Sequence, residues 1–193
     1  MTPSEALVTG PRLALRHPVS DDADEFVTLR ETSRDFHLAW EPIPEDGSDP
    51  IGNESFERFL ATSDTPESQR HLMCCTTDSA IVGYVGLSQI FMGAFCSAYM
   101  GFWVGVEHAR RGYATEGISL CLERAFTRLG MHRVEANVIP TNTASLATVH
   151  KCGFRKEGYS PRYLKIAGEW CDHERWAITI EEWEASPKRI SRA

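Results

Sequence analysis

Apolar residues recur at helical spacing near the middle of the chain, at Ile118, Cys121, Leu122, Ala125, Phe126 and Leu129. They fall at i, i+3, i+4, i+7, i+8 and i+11, so they form one stripe along an α-helix. Gly130 follows as a C-terminal stop. The segments on either side, 96–106 and 132–138, have the patterns of strands. A strand, a helix and a strand in that order predict two parallel neighbouring strands joined by a crossover.

The rest of the chain divides into shorter elements. Alternation over 12–17 predicts a strand, and Ser20 is expected to cap a helix that runs to about Arg34. Two further helices are predicted from their own patterns, at 54–62 and 143–152. The remaining strands form two predicted hairpins, 71–77 with 80–90, and 154–166 with 169–180 around Ala167-Gly168.

The order of these elements predicts the fold class. It is an α/β (or α+β) fold with a single mixed, mostly antiparallel sheet of about seven strands and helices on both faces. The 193 residues are enough for one domain with a sizeable core. We expect a single domain over 1–193, with its core at about 11–180 and a frayed polar tail at 185–193.

Composition and charge exclude several classes of function. The chain is 42% hydrophobic and 24% charged, which is typical of a soluble globular protein. No apolar run is long enough to cross a membrane, and the N-terminus does not resemble a secretory signal, so a cytoplasmic protein without a membrane partner is expected. The formal net charge of −7 disfavours nucleic-acid binding, but allows a cationic substrate.

The six cysteines show neither C-x-x-C spacing nor a nearby histidine at zinc-ligand spacing. We expect buried free thiols rather than disulfides, and no metal.

The loop 109–115 has the residue types of an anion site. Its glycine and alanine allow backbone N–H groups to crowd together where the strongest helix begins, and Arg110 and Arg111 add positive charge. The spacing fits neither a Walker loop nor a dinucleotide fingerprint. The pattern therefore indicates a pyrophosphate site, although a short glycine turn before a helix is more often structural.

This region resembles the GNAT superfamily of N-acetyltransferases, in particular its RimJ/RimL subgroup. The stretch GFWVGVEHARRGYATEG is similar to the acetyl-CoA pyrophosphate motif, with Ala109 in place of its usual first Gln or Arg. The resemblance implies a GNAT fold that binds acetyl-CoA as cosubstrate. The cofactor residues of this loop are then Arg110, Arg111, Gly112, Tyr113, Ala114 and Thr115.

Two further motifs extend the resemblance to about residues 11–180. HRVEANVIPTNTASLATVHKCGFRKEGY is similar to the second cofactor motif of the subgroup, and YLKIAGEWCDHERWAI to its closing hairpin. In the family the two parallel strands splay apart. The pantetheine arm is then expected to pair with backbone groups of Phe102, Trp103 and Val104.

The resemblance also bears on the proton that the leaving thiolate takes. Many GNAT enzymes carry a tyrosine acid one helix turn before the Gly-Phe pair, and here that position is Val149. The subgroup offers Ser145 instead, which could equally serve only to cap its helix. Asn142 could both cap that helix and contact the cofactor.

The general base has two candidates, Glu41 and Glu135, each with a structural alternative. An N-terminal amine has a pKa of about 8, so water could also take its proton. Trp40, Glu41 and Tyr99 are expected to line the substrate pocket. His37 and His173 fit a structural role better than a catalytic one.

Three functions remain open on the sequence alone. The acceptor is expected to be a protein N-terminal α-amine, as in ribosomal-protein-alanine acetyltransferases. A small amine such as an amino acid, a polyamine or an antibiotic is the alternative, and a non-catalytic acyl-CoA-binding module is a third. The oligomeric state is expected to be a monomer or a homodimer.

Overall fold

The computed structural model describes residues 6–186. Its strands are β1 (Val8–Thr9), β2 (Leu13–Arg16), β3 (Asp64–Thr65), β4 (Ser68–Cys75), β5 (Ile81–Phe91), β6 (Ser97–Val104), β7 (Arg133–Val138), β8 (Arg155–Ile166) and β9 (Glu169–Thr179). Its helices are α1 (Ala23–Thr32), α2 (Arg34–His37), α3 (Asn53–Ala61), α4 (Tyr113–Thr127), α5 (Thr143–Lys151) and α6 (Ile180–Ala185).

One sheet joins all nine strands of the described part, in the order β1-β2-β4-β5-β6-β7-β9-β8, with β3 on β4. The predicted mixed, mostly antiparallel sheet is confirmed, because β6 and β7 form its single parallel pair. Seven of the strands have at least four residues, and these are the seven that the sequence predicts. The pattern missed β1 and β3 because two residues carry no periodicity.

Alternation along β4 shows how helices cover both faces of the sheet. Met73 packs with α4 in the larger core cluster, whereas Leu72 and Cys74 pack with α1 and α3 in a smaller one. Successive side chains of a strand point to opposite faces, so a strand segment covered on both sides has apolar residues on both faces. Met73, Leu72 and Cys74 are accordingly all fully buried.

The start of the first helix differs from the prediction. Ser20 is not an N-cap, because a 3-10 turn at Ser20–Asp22 precedes α1 and its hydroxyl contacts only Asp21. The carboxylate of Asp22 accepts the N–H of Val19 at 2.8 Å and two bonds from Arg16 at 2.6 Å. Charge-assisted bonds are stronger than those of a neutral hydroxyl, so the aspartate organises this turn.

Other expectations can be compared directly. All six cysteines are free thiols, but only Cys74, Cys121 and Cys152 are buried. The hairpin turn at Ala167-Gly168 is confirmed by its two positive φ angles, 48° and 88°. No helix among the described residues is long and apolar enough to cross a membrane. Most of the predicted tail lies outside the described residues, since they end at 186.

Candidate active site

A cleft opens where β6 and β7 separate. The two strands pair only from Ser97 with Arg133 to Tyr99 with Glu135, although β6 continues to Val104 and β7 to Val138. Beyond these pairs a cavity of about 690 Å³ runs between the strands to the start of α4. Its volume is in the range of sites that hold cofactors.

The pairing of β6 with β5 determines which backbone groups of β6 face the cleft. Gly105 donates to Val82 at 3.0 Å, and alternate residues of an antiparallel strand point their N–H and C=O to the same side. Trp103 therefore directs its backbone to β5, while Phe102 and Val104 direct theirs into the cleft. The expected pairing of the pantetheine arm with the backbone of Trp103 is corrected accordingly. Trp103 lines the cavity, but its backbone N–H and C=O face β5.

The N-terminus of α4 forms one end of the cavity. Gly112 has φ of +82°, a left-handed conformation that glycine adopts without strain, and no side chain of the described residues caps the helix. The first helical bond runs from Glu116 to the carbonyl of Gly112 at 3.1 Å. The N–H groups of residues 113–115 therefore have no partner within residues 6–186, and with the helix dipole they form an anion site.

An ion pair holds this loop against the sheet. Arg12 donates through Nε to Glu116 at 2.8 Å and through Nη1 to the carbonyl of Arg111 at 2.8 Å. The buried Glu116 carboxylate also accepts the backbone N–H groups of Arg12 and Leu13. Because Glu116 lies in the first turn of α4, these bonds fix the loop relative to β2.

Helix α5 forms the opposite wall and begins at an asparagine cap. The side chain of Asn142 accepts the N–H of Ser145 at 3.1 Å. Asn142 is therefore the cap, and the Ser145 hydroxyl makes no hydrogen bond among the described residues. Both residues line the cavity, so this hydroxyl is available to a bound molecule.

A buried network lies on the other side of the cleft. Arg30 donates to both carboxylate oxygens of Glu41, at 2.7 and 2.6 Å, and through Nη1 to Nδ1 of His37 at 3.1 Å. His37 Nε2 donates to the carbonyl of Val104 at 2.9 Å. These partners fix a neutral imidazole protonated on Nε2. Burial lowers the pKa of His37, consistent with this state.

Comparison with known proteins decides the family. Residues 12–155 match the family model described as "Acetyltransferase (GNAT) domain". The chain belongs to the GNAT acetyltransferases. It is 30% identical to "Probable N-acetyltransferase YjcK" of Bacillus subtilis (strain 168), over 89% of this chain and 96% of that protein. It is therefore an acetyl-CoA-dependent N-acetyltransferase.

Two other relatives are similar over comparable lengths. The "[Ribosomal protein uS5]-alanine N-acetyltransferase" of Escherichia coli (strain K12) is 27% identical, over 91% of this chain and 92% of that protein. The structure of "Mycobacterium smegmatis RimJ in complex with CoA-disulfide" is 31% identical, with a TM-score of 0.83, and covers 90% of this chain and 85% of that one.

The GNAT domain brings most of the predicted site residues together around one cavity. The predicted residues that line this cavity are Trp40, Glu41, Phe102, Trp103, Val104, Arg110, Gly112, Tyr113, Ala114, Thr115, Asn142 and Ser145. Val149, at the position of the missing tyrosine, is fully buried in the core. No group of three or more potential metal ligands is present within residues 6–186.

Three predicted residues of the GNAT domain do not line the cavity. Glu135 is 4% exposed, and its oxygens accept bonds from Arg133 at 2.9 Å and Arg175 at 3.0 Å. Tyr99 contacts Tyr163 beside this pair. Arg111 is exposed and contributes its backbone carbonyl to Arg12.

Sequence reasoning gave His173 a structural role and missed Asn137, and both line the cavity. Their common position depends on the register between β7 and β9, which the sequence alone does not give. Asn137 of β7 pairs with Arg175 of β9, so His173, two residues away, shares their face of the sheet.

Proposed function

We propose that this enzyme transfers the acetyl group of acetyl-CoA to the N-terminal α-amine of a protein. The observation that carries the proposal is the charge of the acceptor side of the cavity. Glu41 is the only carboxylate residue among the described residues that line it, and Arg30 occupies both of its oxygens. A polyamine, with several ammonium groups, would meet no unpaired carboxylate there, whereas a single amine needs none.

The mouth of the cavity supports a peptide acceptor. Phe36 and Trp40 line the cavity and remain 48% and 37% exposed. Leu38 and Ile43, in the same segment, are also exposed. Exposed apolar groups beside a cleft are typical of surfaces that bind other chains. The names of two similar proteins, a ribosomal-protein-alanine acetyltransferase and RimJ, point to the same class of acceptor.

One contact favours a small amine as the second candidate. The N–H of Ala167, in the β8–β9 turn, donates to the carbonyl of Glu41 at 3.0 Å, and Lys165 pairs with Glu45 at 3.3 Å. The hairpin turn therefore lies against the loop after α2. A cavity narrowed in this way accepts a short amine more readily than a folded protein surface.

We expect a peptide beginning with alanine to be acetylated at least ~10-fold more efficiently, by kcat/KM, than spermidine, because the acceptor side offers no unpaired carboxylate. Thiol release from acetyl-CoA measures the rate, and mass spectrometry locates the acetyl group. A peptide with the same sequence, a blocked α-amine and one lysine is the control. Faster reaction of spermidine, or of the blocked peptide, would show that the acceptor is not an α-amine.

For the cofactor, we propose that the N–H groups at the start of α4 bind the pyrophosphate of acetyl-CoA. The amides of the pantetheine arm pair with the backbone of Phe102 and Val104 in the cleft. Ser145, on the first turn of α5, gives a proton to the departing thiolate. Ser145 suits this role because its hydroxyl has no partner among the described residues, while Asn142 supplies the cap.

Replacing the Ser145 hydroxyl tests this role. We expect Ser145→Ala to lower kcat by about 10- to 100-fold, because a positioned proton donor is lost. The KM for acetyl-CoA should change by less than about threefold, since the cap does not use the hydroxyl. Thr148→Val is the matched control, because the Thr148 hydroxyl already donates to the carbonyl of Ala144 at 2.8 Å. An unchanged kcat in Ser145→Ala would leave Ser145 without a catalytic role.

A further inference from the structure

Two residues that line the cavity each carry a hydrogen-bond acceptor without a donor among the described residues. One acceptor is Nε2 of His173 on β9, and the other is Oδ1 of Asn137 on β7, which is buried and unsatisfied. Asn137 pairs with Arg175, so His173 is its diagonal neighbour on the same face of the sheet. A buried acceptor without a donor costs free energy unless a bound molecule supplies one.

The tautomer of His173 follows from its backbone contact. Nδ1 lies 3.0 Å from the carbonyl of Cys171, and a carbonyl can only accept, so Nδ1 carries the proton. Nε2 then carries a lone pair. The residue is only 2% exposed, and it is one of the residues that line the cavity.

Asn137 is held in place from the other end of its amide. Nδ2 donates to the hydroxyl of Tyr163 at 3.5 Å, which leaves Oδ1 as the atom without a partner. Asn137 lies two residues beyond Glu135, the last residue of β7 that pairs with β6. Its amide therefore stands where the cleft begins.

Acetyl transfer requires an amine nitrogen with a free lone pair, but an α-amine is largely an ammonium at neutral pH. Either solvent water or a base in the site must therefore accept a proton. Glu41 and Glu135 both have their two oxygens occupied by arginine side chains. Nε2 of His173 has no such competitor within residues 6–186.

We propose that His173 is the general base that takes a proton from the acceptor ammonium through Nε2, while Asn137 Oδ1 accepts a second N–H of the same nitrogen. Asn137 thereby turns the freed lone pair towards the thioester. His173 is a catalytic residue in this scheme, because it touches the reacting nitrogen. Asn137 binds and orients that nitrogen.

The protons balance as follows. The ammonium gives one proton to His173, the nitrogen attacks the thioester carbonyl carbon, and the C–N bond forms. The tetrahedral intermediate collapses when the C–S bond breaks, and the nitrogen loses a second proton. The sulfur takes one proton, so each turnover releases one proton, one CoA thiol and one amide.

The surroundings of His173 keep its imidazole neutral, so that Nε2 can accept a proton. Burial lowers its pKa below the usual value of 6.5, and the Cys171 carbonyl and the neighbouring Asp172 on β9 oppose part of that shift. The groups packed on the same side are the Tyr163 ring at 5.6 Å, Arg175 over that ring, the Tyr99 hydroxyl beside Tyr163, and the ion-paired Glu135. The imidazole is therefore neutral at pH 7.

The test uses His173→Asn, because the asparagine amide can still donate to the Cys171 carbonyl but has no basic nitrogen. With an Ala-initiated peptide at pH 7, we expect kcat/KM to fall by about 10²- to 10⁴-fold. Affinity for acetyl-CoA in calorimetry should stay within about threefold, because the base does not touch the phosphates. His150→Asn, an exposed histidine on α5 that lies outside the cavity, is the matched control.

The pH profile separates a base from a structural residue. In the wild-type enzyme, kcat/KM should stay level between pH about 6.5 and about 8, because neutral His173 meets the ammonium form of the amine throughout that range. In His173→Asn, log kcat/KM should rise by about one per pH unit up to the pKa of the amine, because only the free amine reacts. Asn137→Ala should raise the acceptor KM and keep the level region.

Two results would overturn the role of His173. One is a wild-type profile that already rises with unit slope up to the amine pKa, which remains informative even if the variant does not fold. The other is a folded His173→Asn enzyme with kcat/KM within about threefold of wild type. The role does not depend on the kind of amine. If the wild type acetylates spermidine and not the peptide, the proposed acceptor is wrong, and the same profiles measured with spermidine still test the base.

Discussion

Gly112→Glu should raise the dissociation constant of acetyl-CoA by at least ~100-fold. Gly112 has φ of +82°, so any side chain there strains the backbone by about 1–2 kcal/mol or shifts the loop. A carboxylate at this position also brings negative charge to the N–H groups that would hold the pyrophosphate. Calorimetry with acetyl-CoA measures the loss directly.

Two variants separate the causes of that loss. Gly112→Ala adds the strain without the charge, and its Cβ would lie 3.3 Å from Arg12 Nη2, so we expect an intermediate loss of affinity. Gly130→Glu is the matched control, since Gly130 has φ of +66°, open space around it, and a place beyond the opposite end of α4. If Gly112→Glu and Gly130→Glu bound acetyl-CoA equally well, the loop would not be the phosphate site.

The local pattern of apolar residues correctly predicted the helix and strands that surround the site. The stripe on α4 and the strands beside it gave the parallel crossover, because periodicity and strand order are written in neighbouring residues. The turn at Ala167-Gly168 was also predicted correctly from the local sequence. The divergence of β6 and β7 has no such signature, and its expectation came from the resemblance to a family.

Long-range ion pairs are the feature of the two predicted bases that the sequence could not reveal. Glu41 and Glu135 were chosen as bases, but Arg30 and Arg175 reach them from residues 11 and 40 positions away. A sequence does not distinguish a carboxylate held by arginine from an unpaired one. The same limit hid Glu116, whose partner Arg12 lies 104 residues away.

For His173, the information that the sequence lacks is the state of each ring nitrogen. A lone histidine in a strand is usually a satisfied structural residue, and the sequence favoured that role. The structure satisfies Nδ1 with the Cys171 carbonyl but leaves Nε2 without a donor in the described residues. Which nitrogen carries the proton depends on a backbone carbonyl two residues away, and only the coordinates of both atoms define that contact.

The free energy of unfolding should fall steeply between pH about 6 and about 4 because of His71. This residue is 0% exposed, and neither ring nitrogen makes a hydrogen bond of ordinary geometry within residues 6–186. Burial, with Arg124 and His17 nearby, lowers its pKa from 6.5 to about 3. Below pH 6.5 the unfolded chain therefore binds a proton that the native protein does not, and stability decreases by about 1.4 kcal/mol per pH unit until pH approaches about 3.

His71→Leu should remove this one-proton dependence while changing stability at pH 7 by less than about 1 kcal/mol, because the lost ring nitrogens make no hydrogen bond of ordinary geometry with the described residues. Urea unfolding at pH 7, 6, 5 and 4.5 measures both quantities, and His150→Leu, on an exposed surface, should keep the wild-type slope. His71→Phe gives a second apolar side chain for the same position. A wild-type slope retained in both His71 variants would mean that other buried groups, such as His37 and His173, cause the acid sensitivity, since their pKa values are lowered by burial as well.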